Sequence, residues 1–385
     1  MKSLKNKVLA SALALGLLGG SFALNPNYAE AANKPLQIKK VLNLPESGVT
    51  TPDETFTFTF AKAGKNGGTE TEGMPDIPAV TAKYASTDAT DNDTETQGKQ
   101  LIKETADALS TVKFTEAGQY TYTVKETTGN TVDMTYSQAE YTVSLFVKKV
   151  GENAYEVTNI QIKKTKNDKG ETVNEEKTEY TPGDASDDKK AGNKFAFENN
   201  YDKKAGNTNT NEGGTEITEN DKKGFALRKT ITDQTPDENA EFTFSLTVTK
   251  PVGSNSDATT FKYFIAGEGT EQTGTYGQAF DIQLKHNQRI VFSEVLLGSK
   301  VEFDETNSGA YTGSVKSATF NGTEGTDKEG IIGDQTGGNF VEYENKTQTP
   351  TGLLIDNLPF IALVAVAGAG ILFFAKNRKE DLAQA

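Results

Sequence analysis

Short runs in which apolar and hydroxylated residues alternate recur along the chain, as in Phe56-Thr57-Phe58-Thr59-Phe60, Tyr120-Thr121-Tyr122-Thr123-Val124 and Tyr141-Thr142-Val143-Ser144-Leu145. Successive side chains on a strand point to opposite faces, so each run predicts a half-buried β-strand. Clusters of Gly, Asn and Asp between the runs supply turns. No long amphipathic helical pattern competes. The expected fold class is therefore all-β, built as two tandem immunoglobulin-like sandwiches.

The tandem arrangement comes from an internal repeat. Ile38-Lys39-Lys40-Val41-Leu42, followed by Pro52-Asp53-Glu54-Thr55-Phe56-Thr57-Phe58, is echoed by Leu227-Arg228-Lys229-Thr230-Ile231, followed by Pro236-Asp237-Glu238-Asn239-Ala240-Glu241-Phe242-Thr243-Phe244. Val124-Lys125-Glu126-Thr127 is echoed by Phe303-Asp304-Glu305-Thr306, and Phe197-Glu198-Asn199-Asn200 by Tyr343-Glu344-Asn345-Lys346. Matches in the same order mark a duplicated domain. Between them, residues 202–224 contain Lys203-Lys204-Ala205-Gly206-Asn207-Thr208-Asn209-Thr210-Asn211-Glu212-Gly213-Gly214, which reads as a linker or a long exposed connection. Residues 61–105, rich in Gly, Thr and Asp, read as a large loop, either with a binding role or as a disordered or variable surface segment.

Parity exposes an anomaly inside the repeat. Leu36, Ile38, Lys40 and Leu42 share one face of the first strand, which puts Lys40 on the apolar side and Lys39 outside. Glu126 follows Tyr120, Tyr122 and Val124 in phase, and Asn199 follows Phe195 and Phe197. In the second half Lys229 is in phase with Phe225, Leu227 and Ile231, Glu305 with Val301 and Phe303, and Asn345 with Val341 and Tyr343. A single inward lysine could reach water along its own stem. The repetition of lysine, glutamate and asparagine in both halves argues instead for a buried group of three. Burial lowers a lysine pKa and raises a glutamate pKa, which favours a neutral amine beside a protonated acid. Such an amine can attack the Asn carboxamide carbon while the acid hydrogen-bonds the amide oxygen and moves protons until ammonia leaves. The product is a Lys-Asn isopeptide bond.

The two ends carry targeting patterns. Lys2, Lys5 and Lys7 precede an apolar run from Val8 to Leu18 and the triplet Ala29-Glu30-Ala31 before Ala32. This order predicts a signal peptide over residues 1–31, cleaved between Ala31 and Ala32, and a secreted product. At the other end an uncharged stretch from Leu358 to Phe374 precedes Lys376, Arg378 and Lys379, which is long enough to span a bilayer with the basic cluster on the cytoplasmic side. Gln348-Thr349-Pro350-Thr351-Gly352 lies just ahead of it.

Composition narrows the function. The 385 residues carry a net charge of −14, with no Cys, no Trp and one His. An acidic, dispersed charge argues against nucleic acid as a partner. Without Cys there is neither a disulfide framework nor a thiolate metal site, and a lone His286 leaves no Ser/His/Asp triad or multi-histidine metal centre. No metal, cofactor or turnover of an outside substrate is expected.

Pentapeptide, apolar span and basic tail resemble a cell-wall sorting signal, with the x-x-P-T-G form of streptococcal T-antigen pilins in place of the commoner L-P-x-T-G. That resemblance implies a sortase transpeptidase that cuts between Thr351 and Gly352 and passes the Thr351 carbonyl to an amine. The inward lysine, glutamate and asparagine, on a first, a late and a last strand, resemble those of the collagen-adhesin B-type isopeptide domains of T-antigen major pilins. The resemblance implies sandwich domains at residues 32–201 and 225–347, cross-links Lys40–Asn199 and Lys229–Asn345, and Glu126 and Glu305 as their proton shuttles. It places the sortase pentapeptide at residues 348–352 and a discarded span and tail at residues 353–385. The implied role is the backbone subunit of a pilus on a Gram-positive cell, linked to identical pilin subunits and, at the base, to peptidoglycan or a basal pilin. The family supplies its acceptor lysine before the last strand of the first domain, a region that here offers Lys189, Lys190 and Lys194; none falls at the family's spacing, the Y-P-K-N motif is absent, and Lys190 is favoured. The alternative is a wall-anchored adhesin or ancillary pilin that binds a host surface ligand.

Overall fold

The structure is a computed structural model that describes residues 34–88, 91–92, 98–181, 194–233 and 236–347. The chain forms two β-sandwiches in sequence, each with its own apolar core. In the first, a five-stranded sheet packs against a six-stranded one. Lys39–Leu44 lies inside the five-stranded sheet, parallel to Ala196–Tyr201 on one side and antiparallel to Lys99–Glu104 on the other. Gly118–Glu126 lies inside the six-stranded sheet, between Glu54–Lys65 and Glu140–Lys149.

The alternating sequence explains the layering. Along Gly118–Glu126 the buried positions are Tyr120, Tyr122, Val124 and Glu126, every second residue. Phe56, Phe58, Tyr141, Phe195 and Phe197 meet them from neighbouring strands, and rings such as Phe58 and Phe197 pack 5.0 Å apart across the interlayer. Lys39, expected on the outer face, is only 7% exposed, as Val41 is only 4% exposed. Both faces of that inner strand are covered, so the alternation does not sort its residues into wet and dry.

The second sandwich repeats the plan. An eight-stranded sheet contains Ala226–Ile231 parallel to Phe340–Thr347, and a four-stranded sheet contains Lys300–Asn307 beside Phe242–Thr249. Register is conserved between the halves of the repeat: Lys40 pairs with Phe197, two residues before Asn199, and Lys229 pairs with Tyr343, two residues before Asn345. Glu126 lies opposite Phe58 and Glu305 opposite Phe244.

Residues 61–105 are not one large loop. They contain the end of Glu54–Lys65 and the strands Val80–Tyr84, Asp91–Asn92 and Lys99–Glu104, and they bury Met74, Ile77, Val80, Ala82, Tyr84 and Leu101. Their apolar residues are sparse but correctly spaced, and the polar composition hid them.

Residues 202–224, expected as a connection, run along the second sandwich. Lys204–Ala205 pair with Val295 and Leu296 of the Arg289–Leu296 strand. The Asp221 carboxylate accepts a 2.9 Å hydrogen bond from Arg289 Nε and 2.8 Å and 2.9 Å bonds from Asn207 Nδ2 and the Thr218 N–H, with Asp221 and Arg289 both fully buried. The two sandwiches also touch: Asp334 accepts from the Thr50 hydroxyl at 2.6 Å and pairs with Lys203 at 2.8 Å, and Val49 packs against both cores.

Removing one partner of a buried ion pair leaves an uncompensated charge, which costs about 3–5 kcal/mol. Asp221→Ala is expected to destabilise the second sandwich by about that amount. Denaturant unfolding of the variant checks it, and an unchanged midpoint would contradict the pairing.

Candidate functional site

Each sandwich brings an amine, a carboxyl group and a carboxamide together between its sheets. In the first, Lys40 Nζ lies 2.8 Å from Glu126 Oε2, and Asn199 Nδ2 donates to Glu126 Oε1 at 2.6 Å. One carboxyl group thus touches the amine with one oxygen and the amide with the other. Lys40 and Asn199 are fully buried, and the Glu126 side chain is sealed from solvent. Asn199 Oδ1 accepts the Ser137 backbone N–H at 2.6 Å. Where the sequence predicts the acid on the amide oxygen, the structure has it on the amide nitrogen, with a backbone donor on the oxygen.

In the second sandwich Lys229 Nζ and Asn345 Nδ2 both lie 2.8 Å from Glu305 Oε1. Lys229 and Asn345 are fully buried and the Glu305 side chain is 3% exposed. Asn345 Oδ1 has no hydrogen-bond partner among the described residues.

Strand geometry explains the convergence. Parallel pairing places the lysine and asparagine on adjacent strands and the same face, offset by two residues, and the glutamate arrives from the opposite sheet. Aromatic rings wall the amines. Lys40 Nζ lies 4.4 Å from the Phe56 ring centroid, and Lys229 Nζ lies 4.2 Å and 4.8 Å from those of Phe242 and Tyr343.

The apolar walls set the proton affinities. Burial pushes the Lys40 amine down to about 8 against the pull of Glu126, and pushes the Glu126 carboxyl up against the pull of Lys40. Burial likewise pushes Lys229 down to about 8 despite its hydrogen bond to Glu305. A lysine so displaced carries a substantial neutral fraction near neutral pH, and the neutral form is nucleophilic.

Two contributors have no mark in the sequence. Ser137 precedes the Glu140–Lys149 strand and follows the two-residue strand Met134–Thr135, and its role depends on a backbone N–H that every residue but proline carries. Gly313 lies opposite Asn345 in the Tyr311–Phe320 strand, where an added Cβ would sit 2.2 Å from Glu305 Oε2 and 2.6 Å from Asn345 Oδ1. Only glycine leaves both groups in place. Its neighbours come from elsewhere in the chain, so composition alone does not reveal the requirement.

Other sequence-derived sites fall outside the described residues: Ala31 and Ala32, the pentapeptide Gln348 to Gly352, the span behind it, and Lys189 and Lys190. Lys194 is described and exposed. Among the described residues no helix is long and apolar enough to cross a membrane.

Residues 36–202 match the family model described as Spy0128-like isopeptide containing domain. Residues 223–347 match a family described as a domain of unknown function (DUF7601). No curated protein matches the chain. Among solved structures, the major pilin T3.2 of Streptococcus pyogenes serotype GAS13637 is 16% identical over 82% of this chain and 98% of its own, with a TM-score of 0.34. The T-13 major pilin of serotype GAS131465 is 17% identical over 82% of this chain and 98% of its own, with a TM-score of 0.32. The pilus-presented adhesin Spy0125 (Cpa) is 11% identical over 81% of this chain and 100% of its own, with a TM-score of 0.28.

The lowered lysine affinities give a pH dependence with a definite sign. The neutral fraction of an amine falls about tenfold for each pH unit below its pKa. Condensation of Lys40 with Asn199, or of Lys229 with Asn345, is expected to quicken with rising pH and to level off above about 8. Cross-linked peptides counted after cell-free synthesis across a pH series check this, and a rate still climbing toward 10.5, the ordinary lysine value, would contradict the burial argument.

Proposed function

We propose that the chain is the backbone subunit of a cell-surface pilus on a Gram-positive bacterium, stapled internally by Lys40–Asn199 and Lys229–Asn345 isopeptide bonds and joined to identical subunits by a sortase. The observation that carries the reading is the paired convergence of amine, carboxyl and carboxamide in a dry interlayer, with the same strand register in both sandwiches. The match of residues 36–202 to an isopeptide-containing family model supports it.

The chemistry follows from the contacts. The neutral Lys40 amine adds to Asn199 Cγ, and the carbonyl electron pair moves onto Oδ1. Glu126 takes a proton from Nζ through one oxygen and delivers a proton to Nδ2 through the other, since it touches both groups. Collapse of the intermediate restores the carbonyl, breaks the Cγ–Nδ2 bond and releases ammonia. Glu305 serves Lys229 and Asn345 in the same way. The product is a neutral secondary amide, which removes the desolvation penalty of the buried ions, several kcal/mol for each.

The bonds suit a shaft under load. Each joins a strand near the start of its sandwich to one at its end, so tension entering by one strand leaves by the other without peeling the sheet. By the chain-entropy estimate for a closed loop of such length, each also stabilises its domain by about 4–5 kcal/mol.

Between subunits, the Thr351 carbonyl would pass to an amine of the neighbour, with Lys190 the favoured acceptor, and the terminal subunit to the wall or a basal pilin. An acidic surface, net charge −14, keeps such a polymer soluble outside the cell.

Intact mass of the ectodomain is expected to fall short of the sequence mass by two ammonia molecules. Glu126→Ala is expected to restore one of them, and Gly313→Ala to restore the other by driving Glu305 and Asn345 apart. A Gly313→Ala variant with the full deficit would contradict the close approach. At the cell surface, antibody against the chain is expected to detect a ladder of high-mass species that survives boiling in detergent and collapses on Lys190→Ala. A single wall-linked band in the unaltered strain would favour the adhesin reading.

A further inference from the structure

The two sites differ at the amide oxygen. When Nζ adds to Cγ, negative charge develops on Oδ1, and a donor already aimed at that atom lowers the barrier. In the first sandwich such a donor exists: the Ser137 backbone N–H lies 2.6 Å from Asn199 Oδ1, and Ser137 is buried. A backbone N–H can only donate, so the contact also holds the amide nitrogen toward Glu126.

The donor is built into the fold. Regular strands direct their N–H groups along the sheet toward neighbouring strands, not at side chains that stand out of it. Ser137 escapes this constraint because its strand pairs with Ala196–Tyr201 only through Met134 and Thr135 and then leaves the ladder. Asp168 pins the departing segment. Its Oδ1 accepts the Ser137 hydroxyl at 2.6 Å and the Glu198 N–H at 2.9 Å, and its backbone carbonyl accepts the Gln138 N–H at 3.0 Å. Lys164 balances its charge at 2.9 Å. Asp168 therefore ties the donor's segment to the residue beside Asn199.

The second sandwich has no counterpart among the described residues. There the strand beside Phe340–Thr347 stays paired on both sides of the site, from Tyr311 to Val315 in one register and, after a shift, from Ser317 onward, with Gly313 opposite Asn345, and Asn345 Oδ1 has no donor among the described residues.

We infer that the Ser137 backbone N–H is the oxyanion donor for the Lys40–Asn199 condensation, that Asp168 positions it, and that the first sandwich consequently closes its bond before the second. The inference rests on the proposed isopeptide chemistry. The step is the one already balanced: the Nζ–Cγ bond forms, the Cγ–Nδ2 bond breaks, and the charge passes through Oδ1 while Ser137 holds it. No oxidant or reductant is involved.

The test is a pulse of cell-free synthesis of the full chain, quenched at intervals and digested with trypsin. Counting the Lys40–Asn199 and Lys229–Asn345 peptides gives two rates from one sample, and the first pair is expected to close sooner. Ser137→Pro, which removes the donor, is expected to slow the first bond about 100-fold, the usual effect of losing one oxyanion donor, and to leave the second rate unchanged. Ser137→Ala and Asp168→Ala, which keep the N–H but free it, are expected to slow the first bond less. The pH midpoint of Ser137→Ala is expected to stay near 8 while the plateau falls, and that of Asp168→Ala, which also removes a charge that raises the Lys40 amine, is expected to move down and not up. A midpoint moving toward 10.5 would mean that water had reached Lys40, and would overturn the positioning role. First-bond rates unchanged in the variants, or a second bond that closes first in the wild type, would overturn the inference while leaving the isopeptide reading standing. Lys40 found only in unlinked wild-type peptides would sink that reading itself.

Discussion

An amine shut away from water is the constraint on which the rest of the molecule turns. Lys40 and Lys229 sit on inner strands between two sheets, against aromatic rings, and each meets a carboxyl group that is equally dry. Left as ions, such pairs oppose folding as much as they assist it, because their mutual attraction barely offsets lost hydration. The arrangement makes sense as the precursor of a covalent bond, in which the lost hydration becomes a driving force for reaction.

The sandwich topology makes the contact local. Parallel pairing of an early strand with the last strand brings lysine and asparagine to neighbouring positions, although 157 residues separate Asn43 from Asn200 along the same pair of strands. The opposite sheet supplies the acid. Since the pairing register is the same in both sandwiches, the same three side-chain types meet in each. What differs is the environment of the amide oxygen, which follows the course of the adjacent strand.

Much of this was legible in the sequence because strand parity is a local rule. Tyr120, Tyr122, Val124 and Glu126 share a face by counting alone, and the repeat distinguishes a buried group from an isolated polar residue at a strand end. Parity failed where its premise failed: Lys39 lies on an inner strand covered on both sides. The strands within residues 61–105 were hidden by polar composition, and the buried Asp221–Arg289 pair joins residues 68 positions apart that no local pattern connects. Ser137 and Gly313 were beyond reach for a related reason. One acts through its backbone and the other through an absent side chain, and both depend on partners brought in by tertiary structure.

The central claim is covalent, so an atomic-resolution crystal structure of the wild-type ectodomain tests it most directly. The account predicts continuous density from Lys40 Nζ to Asn199 Cγ and from Lys229 Nζ to Asn345 Cγ, with both Nδ2 atoms gone. Separate side chains, each asparagine still holding its Nδ2 against Glu126 or Glu305, would contradict it.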